Sequence, residues 1–113
     1  MDINSATDAF EALSNRTRLE VFRLLVRAGC DGLPAGEISN RLGVVQNTMS
    51  SHLKVLSTAG LAETRRQSRH VFYMASFPAL SGLVQFLMAS SLLHRFVETR
   101  PEDPTKLADG NRV

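Results

Sequence analysis

The chain has 113 residues and a formal net charge of +2, with 43% apolar and 21% charged residues. These values are typical of one globular domain, and they exclude both a wholly disordered chain and a polycation that coats nucleic acid indiscriminately. Its single cysteine, Cys30, excludes an intrachain disulfide and a thiolate cluster built from one chain. No basic start followed by an apolar core and a small-residue cleavage site is recognisable, which predicts a cytoplasmic protein.

Two helices are predicted at the start of the chain. Residues 6–13 form a short helix with Phe10 and Leu13 turned inward. The segment RTRLEVFRLLVRAG, residues 16–29, has the periodicity of an amphipathic helix that ends at its glycine. Its predicted buried residues are Leu19, Phe22, Leu25 and Val26.

The next two helices are separated by a tight turn that contains Gly43, which predicts a helix-turn-helix arrangement. The first covers residues 35–42, after a turn at CDGLP. The second, QNTMSSHLKVLST at residues 46–58, carries Met49, Leu53 and Leu56 on one face and small neutral polar side chains opposite.

The polar face of residues 46–58 has two interpretations. Ser, Thr and Asn have lower helix propensity than the Glu, Lys and Arg usual on a solvated face, so their use indicates a purpose. Major-groove reading is one, because short side chains allow close approach and amides pair with adenine edges. The alternative is that these residues merely cap the helix and solvate its surface.

A β-hairpin is predicted next, from strands at residues 61–66 and 69–75 around a turn centred on Gln67-Ser68. Three arginines, Arg65, Arg66 and Arg69, lie at its tip, where they could follow a phosphate backbone or enter a minor groove. Helix, turn, polar helix and basic hairpin in this order predict a winged helix-turn-helix that binds DNA.

The last predicted helix follows Pro78 and is apolar on more than one face, which indicates a partner subunit. The charge-free run at residues 71–93 is not predicted to span a membrane, because it begins like a strand and contains proline, glycine and glutamine. Residues 1–97 are predicted to form one DNA-binding and dimerisation domain, and residues 98–113 a disordered tail. The expected fold is mainly α with a small β-hairpin: about five helices and a two-stranded wing, assembled as a homodimer.

From about Phe10 to Phe96 the chain resembles the ArsR/SmtB family of bacterial winged-helix repressors. The resemblance rests on EALSNRTRLEVFRLL, LPAGEISNRLG, QNTMSSHLKVLSTAGL and ETRRQSRHVFYMA. It implies a homodimer, paired through its first and last helices, that represses its own operon from an imperfect palindrome until an effector releases it.

The family pattern, taken with the hairpin, implies two sets of functional residues. The DNA-binding set is Gln46, Asn47, Thr48, Ser50, Ser51, His52, Lys54, Arg65, Arg66 and Arg69. The dimer-interface set is Phe10, Leu83, Leu87, Ser90 and Ser91. Two roles are open for His52, a contact with phosphate and packing of the helix. Two are also open for His70, a solvated strand residue and a contact with the DNA backbone.

The chain departs from the family pattern near the recognition helix. Members usually have proline in place of Arg16 and often a basic residue in place of Ser51, so one phosphate contact is missing. Val45 replaces a common Ser or Thr cap, which predicts a helix that starts one residue later with Asn47 as the cap.

The inducer is not identified by the sequence. Arsenite or a divalent metal is expected from the resemblance, but the helix AGEISNRLG lacks the cysteines that many members use, and Ser90-Ser91 occupy the neighbourhood of a second group's cysteine pair. Hydroxyls do not replace thiolates for a soft ion. Cys30 and the pair His94 and Glu98, one helical turn apart, are the remaining metal candidates, with inert or solvated roles as the alternative.

No catalytic arrangement is recognisable, and the chain is predicted not to be an enzyme. Ser50, Ser51 and His52 are adjacent on one helix and diverge by about 100° per residue, so they do not form a nucleophile and base. The competing non-enzymatic hypothesis is a winged-helix dimer that acts as a protein-interaction module or a constitutive DNA binder without effector control.

Overall fold

A computed structural model describes residues 1–89 of the chain. Within them, five α-helices, one 3-10 turn and three strands follow in the order α1 (Ile3–Leu13), α2 (Arg16–Ala28), the 3-10 turn (Gly29–Asp31), β1 (Leu33–Pro34), α3 (Ala35–Leu42), α4 (Gln46–Thr58), β2 (Ala62–Gln67), β3 (His70–Ala75) and α5 (Phe77–Met88). The predictions for Ser90, Ser91, His94, Glu98 and the tail at residues 98–113 lie outside the described residues. No helix of the described part is long and apolar enough to cross a membrane.

The core forms where α2, α3, α4 and the strand ends meet. Its largest fully buried side chains are Val21, Leu25, Ile38, Met49, Leu53, Leu56 and Leu61. The buried residues of α1 are the alanines at positions 6, 9 and 12, one helical turn apart, and partly buried Leu13 packs against the core beside them. Small side chains at this spacing allow the backbone of α1 to approach its neighbours closely.

Two predicted core residues are instead exposed. Phe10 is 39% exposed, because the alanine stripe forms the inner face of α1 and Phe10 lies to one side of it. Leu19 is 44% exposed, because the inner face of α2 is formed by Val21, Phe22, Leu24 and Leu25. The inward placement of Phe10 and Leu19 was therefore wrong.

The sheet has three strands in the order β1-β3-β2, whereas the sequence predicted two. Residues 62–67 pair antiparallel with residues 70–75, so the hairpin turn is Ser68-Arg69, one residue later than predicted, with Ser68 at φ 58°. The additional strand β1 pairs Leu33 with Tyr73 and places Pro34 opposite Phe72. Proline lacks an amide donor and fits such an edge position. Through β1, the wing is attached to the chain directly before α3.

The helix-turn-helix has the predicted arrangement of α3 and α4. Gly43 ends α3 in the left-handed region, with φ 66° and ψ 35°. However, α4 begins at Gln46 with Val45 as its N-cap, and no side chain caps it, so the predicted later start with Asn47 as the cap was wrong. The backbone alone begins the helix: the carbonyl of Val45 accepts a hydrogen bond from the Met49 amide at 2.9 Å.

Two glycines beside the wing offer a matched test of the packing there. Both have positive φ, 68° at Gly29 and 69° at Gly32, but a Cβ at Gly29 would meet nothing within 4 Å. A Cβ at Gly32 would lie 2.6 Å from the Tyr73 carbonyl oxygen and 2.7 Å from Met74 Cγ. Gly32 is therefore required by space as well as by backbone conformation.

We expect Gly29→Ala to lower the free energy of unfolding by about 1–2 kcal/mol through backbone strain alone. Gly32→Ala should cost roughly 2 kcal/mol more, because the added methyl group also displaces β3. Urea denaturation monitored by circular dichroism measures both values. Equal destabilisation by the two substitutions would contradict the close contact between residue 32 and β3.

Candidate nucleic-acid interface

The two faces of α4 are separated as the sequence predicted. Met49, Leu53 and Leu56 are 0%, 1% and 0% exposed. The polar residues of the predicted DNA-binding set on this helix are exposed, apart from half-buried His52: Gln46, Asn47, Thr48, Ser50, Ser51 and Lys54. The first turn of α4 therefore presents two amides and a hydroxyl to solvent while the opposite face is held in the core.

Arg18, on α2, connects that helix to α1 and to α4. Its Nε donates a hydrogen bond to the carbonyl oxygen of Ala12 at 2.6 Å, and its Nη1 lies 3.4 Å from His52 Nδ1. A guanidinium only donates, so hydrogen bonding here requires an unprotonated Nδ1 on His52. Of the two roles left open for His52, this contact supports helix packing.

Sequence reasoning missed Arg18, although a signal was present. On α2 this arginine precedes Phe22 by four residues and Leu25 by seven, and both of those are buried. Residues at these spacings share one face of a helix. A charged residue in line with two core residues indicates a buried polar contact, because a guanidinium placed there needs acceptors.

A groove with a volume of about 630 Å³ runs between α1 and α4. Its lining residues are Asp8, Glu11, Ala12, Arg18, Ser51, Lys54, Val55, Thr58 and Ala59. Lys54, predicted to contact phosphate, therefore shares the groove with the carboxylates of Asp8 and Glu11. These two acidic groups lower the positive potential that an approaching phosphate encounters at this part of α4.

The three wing arginines occupy different environments. Arg66 and Arg69 are exposed, whereas Arg65 is half-buried. Arg65 Nη1 donates to the Cys30 carbonyl oxygen at 3.0 Å, and Nη2 donates to the Asp31 carbonyl oxygen at 3.1 Å. Its guanidinium carbon lies 5.1 Å from the centre of the Phe72 ring. Arg65 thus ties the wing to the 3-10 turn, and Arg66 and Arg69 are the wing arginines that extend into solvent.

His70 stands on the exposed side of the wing, where its ring meets that of Phe72 edge-on at a centroid distance of 6.4 Å. This packing supports the solvated-strand interpretation of His70 and leaves its ring edge accessible. A contact to DNA stays a prediction.

The predicted dimer-interface residues within the described part of the chain differ in how exposed they are. Phe10 and Leu87 are 39% and 52% exposed, but Leu83 is only 4% exposed because it packs into the core of its own subunit. Leu83 therefore offers little surface to a partner subunit, and its place in an interface stays a prediction. The neighbouring Val84, 52% exposed, occupies the outer face of α5 instead.

Of the metal candidates, Cys30 lies within residues 1–89, and His94 and Glu98 lie outside the described residues. Cys30 is a free, exposed thiol in the 3-10 turn, and no three His, Cys, Asp or Glu side chains of the described part lie close enough to hold a metal ion.

Known proteins are similar to this chain in sequence and in fold. Residues 13–65 match a family described as a helix-turn-helix domain. The transcriptional activator HlyU of Vibrio cholerae is 33% identical over 89 residues, which cover 77% of this chain and 80% of that protein. The biofilm growth-associated repressor of Xylella fastidiosa is 31% identical over 84 residues, or 74% of this chain and 71% of that protein. A solved structure of an ArsR-like transcriptional regulator from Rhodococcus sp. RHA1 superimposes with a TM-score of 0.70 at 26% identity, covering 84% and 89% of the two chains.

The contacts of Arg65 predict a loss of stability when it is removed. We expect Arg65→Ala to lower the free energy of unfolding by about 1–2 kcal/mol, from two charge-assisted hydrogen bonds and one cation–π contact at a partly exposed site. Arg66→Ala, on the same strand without such contacts in the described part, should change it by less than about 0.5 kcal/mol. Urea titration of both variants measures the difference. A negligible effect of Arg65→Ala would show that the wing is held in place without this contact.

Proposed function

The chain belongs to the ArsR/SmtB family of winged helix-turn-helix transcriptional regulators and is a DNA-binding regulator of transcription, and from this premise we propose that it is a homodimeric repressor of its own operon. Its two α4 helices read an imperfect palindrome in the operator. The observation that carries this proposal is the division of α4 into one buried apolar face and one exposed, neutral, hydrogen-bonding face.

Base reading is assigned to the first turns of α4. Gln and Asn amides match the hydrogen-bonding edge of adenine in the major groove, and recognition helices contact bases with their N-terminal residues. Gln46, Asn47 and Thr48 are exposed in this first turn, and Ser50 and Ser51 follow in the second. In a dimer, the two helices address half-sites about one helical turn, roughly 34 Å, apart.

Backbone binding is assigned to the wing and to Lys54. Arg66 and Arg69 extend from a wing that Arg65 and β1 hold against the body, so their charges reach the DNA at a fixed distance from α4. Phosphate contacts set the register of a protein on the duplex and supply the salt-dependent part of the affinity.

Dimerisation is assigned to the outer faces of α1 and α5. Exposed apolar side chains occur on both helices: Ile3, Phe10, Phe77, Val84 and Leu87. The residues before α1 reach α5, because Met1 Cε lies 3.4 Å from the position that a Cβ at Gly82 would occupy. A second copy related by a two-fold axis would bury these exposed apolar side chains in an interface made of the same surface on both subunits.

Release from DNA by a small effector completes the proposal. A site for arsenite or a divalent metal would need ligands beyond those that converge in residues 1–89, such as His94 and Glu98 or residues of a partner subunit. The described residues therefore support DNA binding, and only membership of the family supports control by an effector.

The DNA-reading proposal is tested by fluorescence anisotropy with a fragment of the chain's own promoter and a scrambled fragment across a salt series. Gln46→Ala should reduce the preference for the operator by roughly 1–3 kcal/mol, because one base contact is lost. Arg66→Ala should weaken binding to both fragments and reduce the salt slope by about 1, because one phosphate contact is lost.

Two outcomes would contradict the proposal. Equal affinity of the unmodified protein for the two fragments would favour an interaction module or an unselective DNA binder. If Gln46→Ala and Arg66→Ala changed affinity and salt slope alike, the assignment of base contacts to α4 and of phosphate contacts to the wing would be wrong. A reporter gene under the same promoter distinguishes repression from activation.

The acidic side of the groove predicts substitutions that strengthen binding. Glu11→Gln or Asp8→Asn should raise affinity for operator and scrambled DNA alike by roughly twofold to fivefold at low salt, because a negative charge near Lys54 is removed. The matched control is Glu20→Gln, which makes the same charge change outside the groove, where Glu20 pairs with Arg16 at 3.8 Å. An equal gain from Glu20→Gln would indicate a general charge effect instead.

A further inference from the structure

We propose that Val45 reads sequence, by packing its side chain against the methyl group of a thymine beside the base pair contacted by Gln46. This inference rests on the proposed operator binding and adds an apolar contact to the hydrogen-bonding contacts of α4. Three observations carry it: the exposure of Val45, its position at the start of α4, and the missing cap.

Val45 is 74% exposed, which makes it the most exposed large apolar side chain of the described residues. Its neighbour Val44 is half-buried and packs against the core. The two adjacent valines therefore face in different directions, and only the first contributes to the interior. Core packing explains Val44 and leaves Val45 without a structural role.

Helix capping does not explain Val45 either. Its backbone occupies the N-cap position of α4 in an extended conformation, with φ −62° and ψ 145°, and no side chain accepts the amide hydrogens of the first turn. Ser, Thr, Asn or Asp at this position would stabilise the helix, whereas Val is among the poorest caps. The chain thus carries an unfavourable residue for local stability at the end of the helix that approaches the bases.

The major groove offers one apolar group that matches this side chain. Among the base edges, only thymine presents a methyl group there, and apolar side chains recognise it by direct contact. The other exposed large apolar side chains lie at Met1, on α1, α2 and α5 or, for Val55, in the groove between α1 and α4. Val45 stands apart from them, adjacent to Gln46 at the N-terminal end of α4, which is the end that recognition helices direct at base edges.

The test replaces each operator thymine, one at a time, by uracil, which removes the methyl group and keeps the hydrogen-bonding pattern. For the unmodified protein, one thymine in each half-site should show an affinity loss of about fourfold on replacement, as expected for one methyl group no longer buried. The same uracil duplexes are then titrated with Val45→Ser. This variant supplies a capping hydroxyl, so it should melt at a higher temperature and yet bind the thymine and uracil duplexes equally.

Val55→Ser is the matched control, because it makes the same change on the same helix but in the groove between α1 and α4. It should retain the full preference for thymine. The inference is overturned if the unmodified protein prefers its operator to scrambled DNA but tolerates uracil at every position, or if Val45→Ser keeps the thymine preference. If operator and scrambled DNA bind equally, the proposed function itself fails, and this inference fails with it.

Discussion

The burial of Met49, Leu53 and Leu56 is the constraint on which the other features of the site depend. These side chains are at most 1% exposed, and their spacing of four and three residues places them in one stripe along α4. Rotation of the helix by one position would expose this stripe and bury Ser50 and Lys54 instead. Loss of a buried leucine or methionine side chain typically costs about 2–5 kcal/mol, so the rotation of α4 about its axis is fixed by the core. The direction of its polar face follows from that.

Two arginines then fix the surroundings of α4 through contacts that are remote in sequence. Arg18 reaches α4 at His52, 34 residues away, and Arg65 reaches the 3-10 turn at Cys30, 35 residues away. Both guanidiniums donate hydrogen bonds to carbonyl oxygens of the chain itself, and Asp8 and Glu11 line the same groove as Lys54. The positive charge available to DNA is therefore modest, in keeping with a net charge of only +2. Such a surface favours selectivity through base contacts over strong, unselective attraction.

The sequence predicted the elements whose periodicity is strong and local. The bounds of α3, the end of α4 and the inward face of α4 agree with the structure because apolar spacing and the glycine at position 43 determine them over short distances. The strand β1 was not predictable, since two residues that include Pro34 form a strand only by pairing with β3. The role of Arg65 was hidden for the same reason: nothing near it in the sequence indicates that its acceptors belong to the 3-10 turn. Phe10 was misplaced because burial in α1 depends on alanines, which carry little hydrophobic signal.

The central claim is that α4 contacts the bases of each half-site while the wing contacts the DNA backbone that flanks the two half-sites. Hydroxyl-radical footprinting of the protein on its own promoter tests it most directly, because this cleavage reports protection of each sugar. The account predicts two protected segments centred about one helical turn apart on one face of the duplex, with flanking protections that disappear when Arg66 and Arg69 are both replaced by alanine. Uniform protection without a repeat, or flanking protections that survive the double substitution, would contradict it.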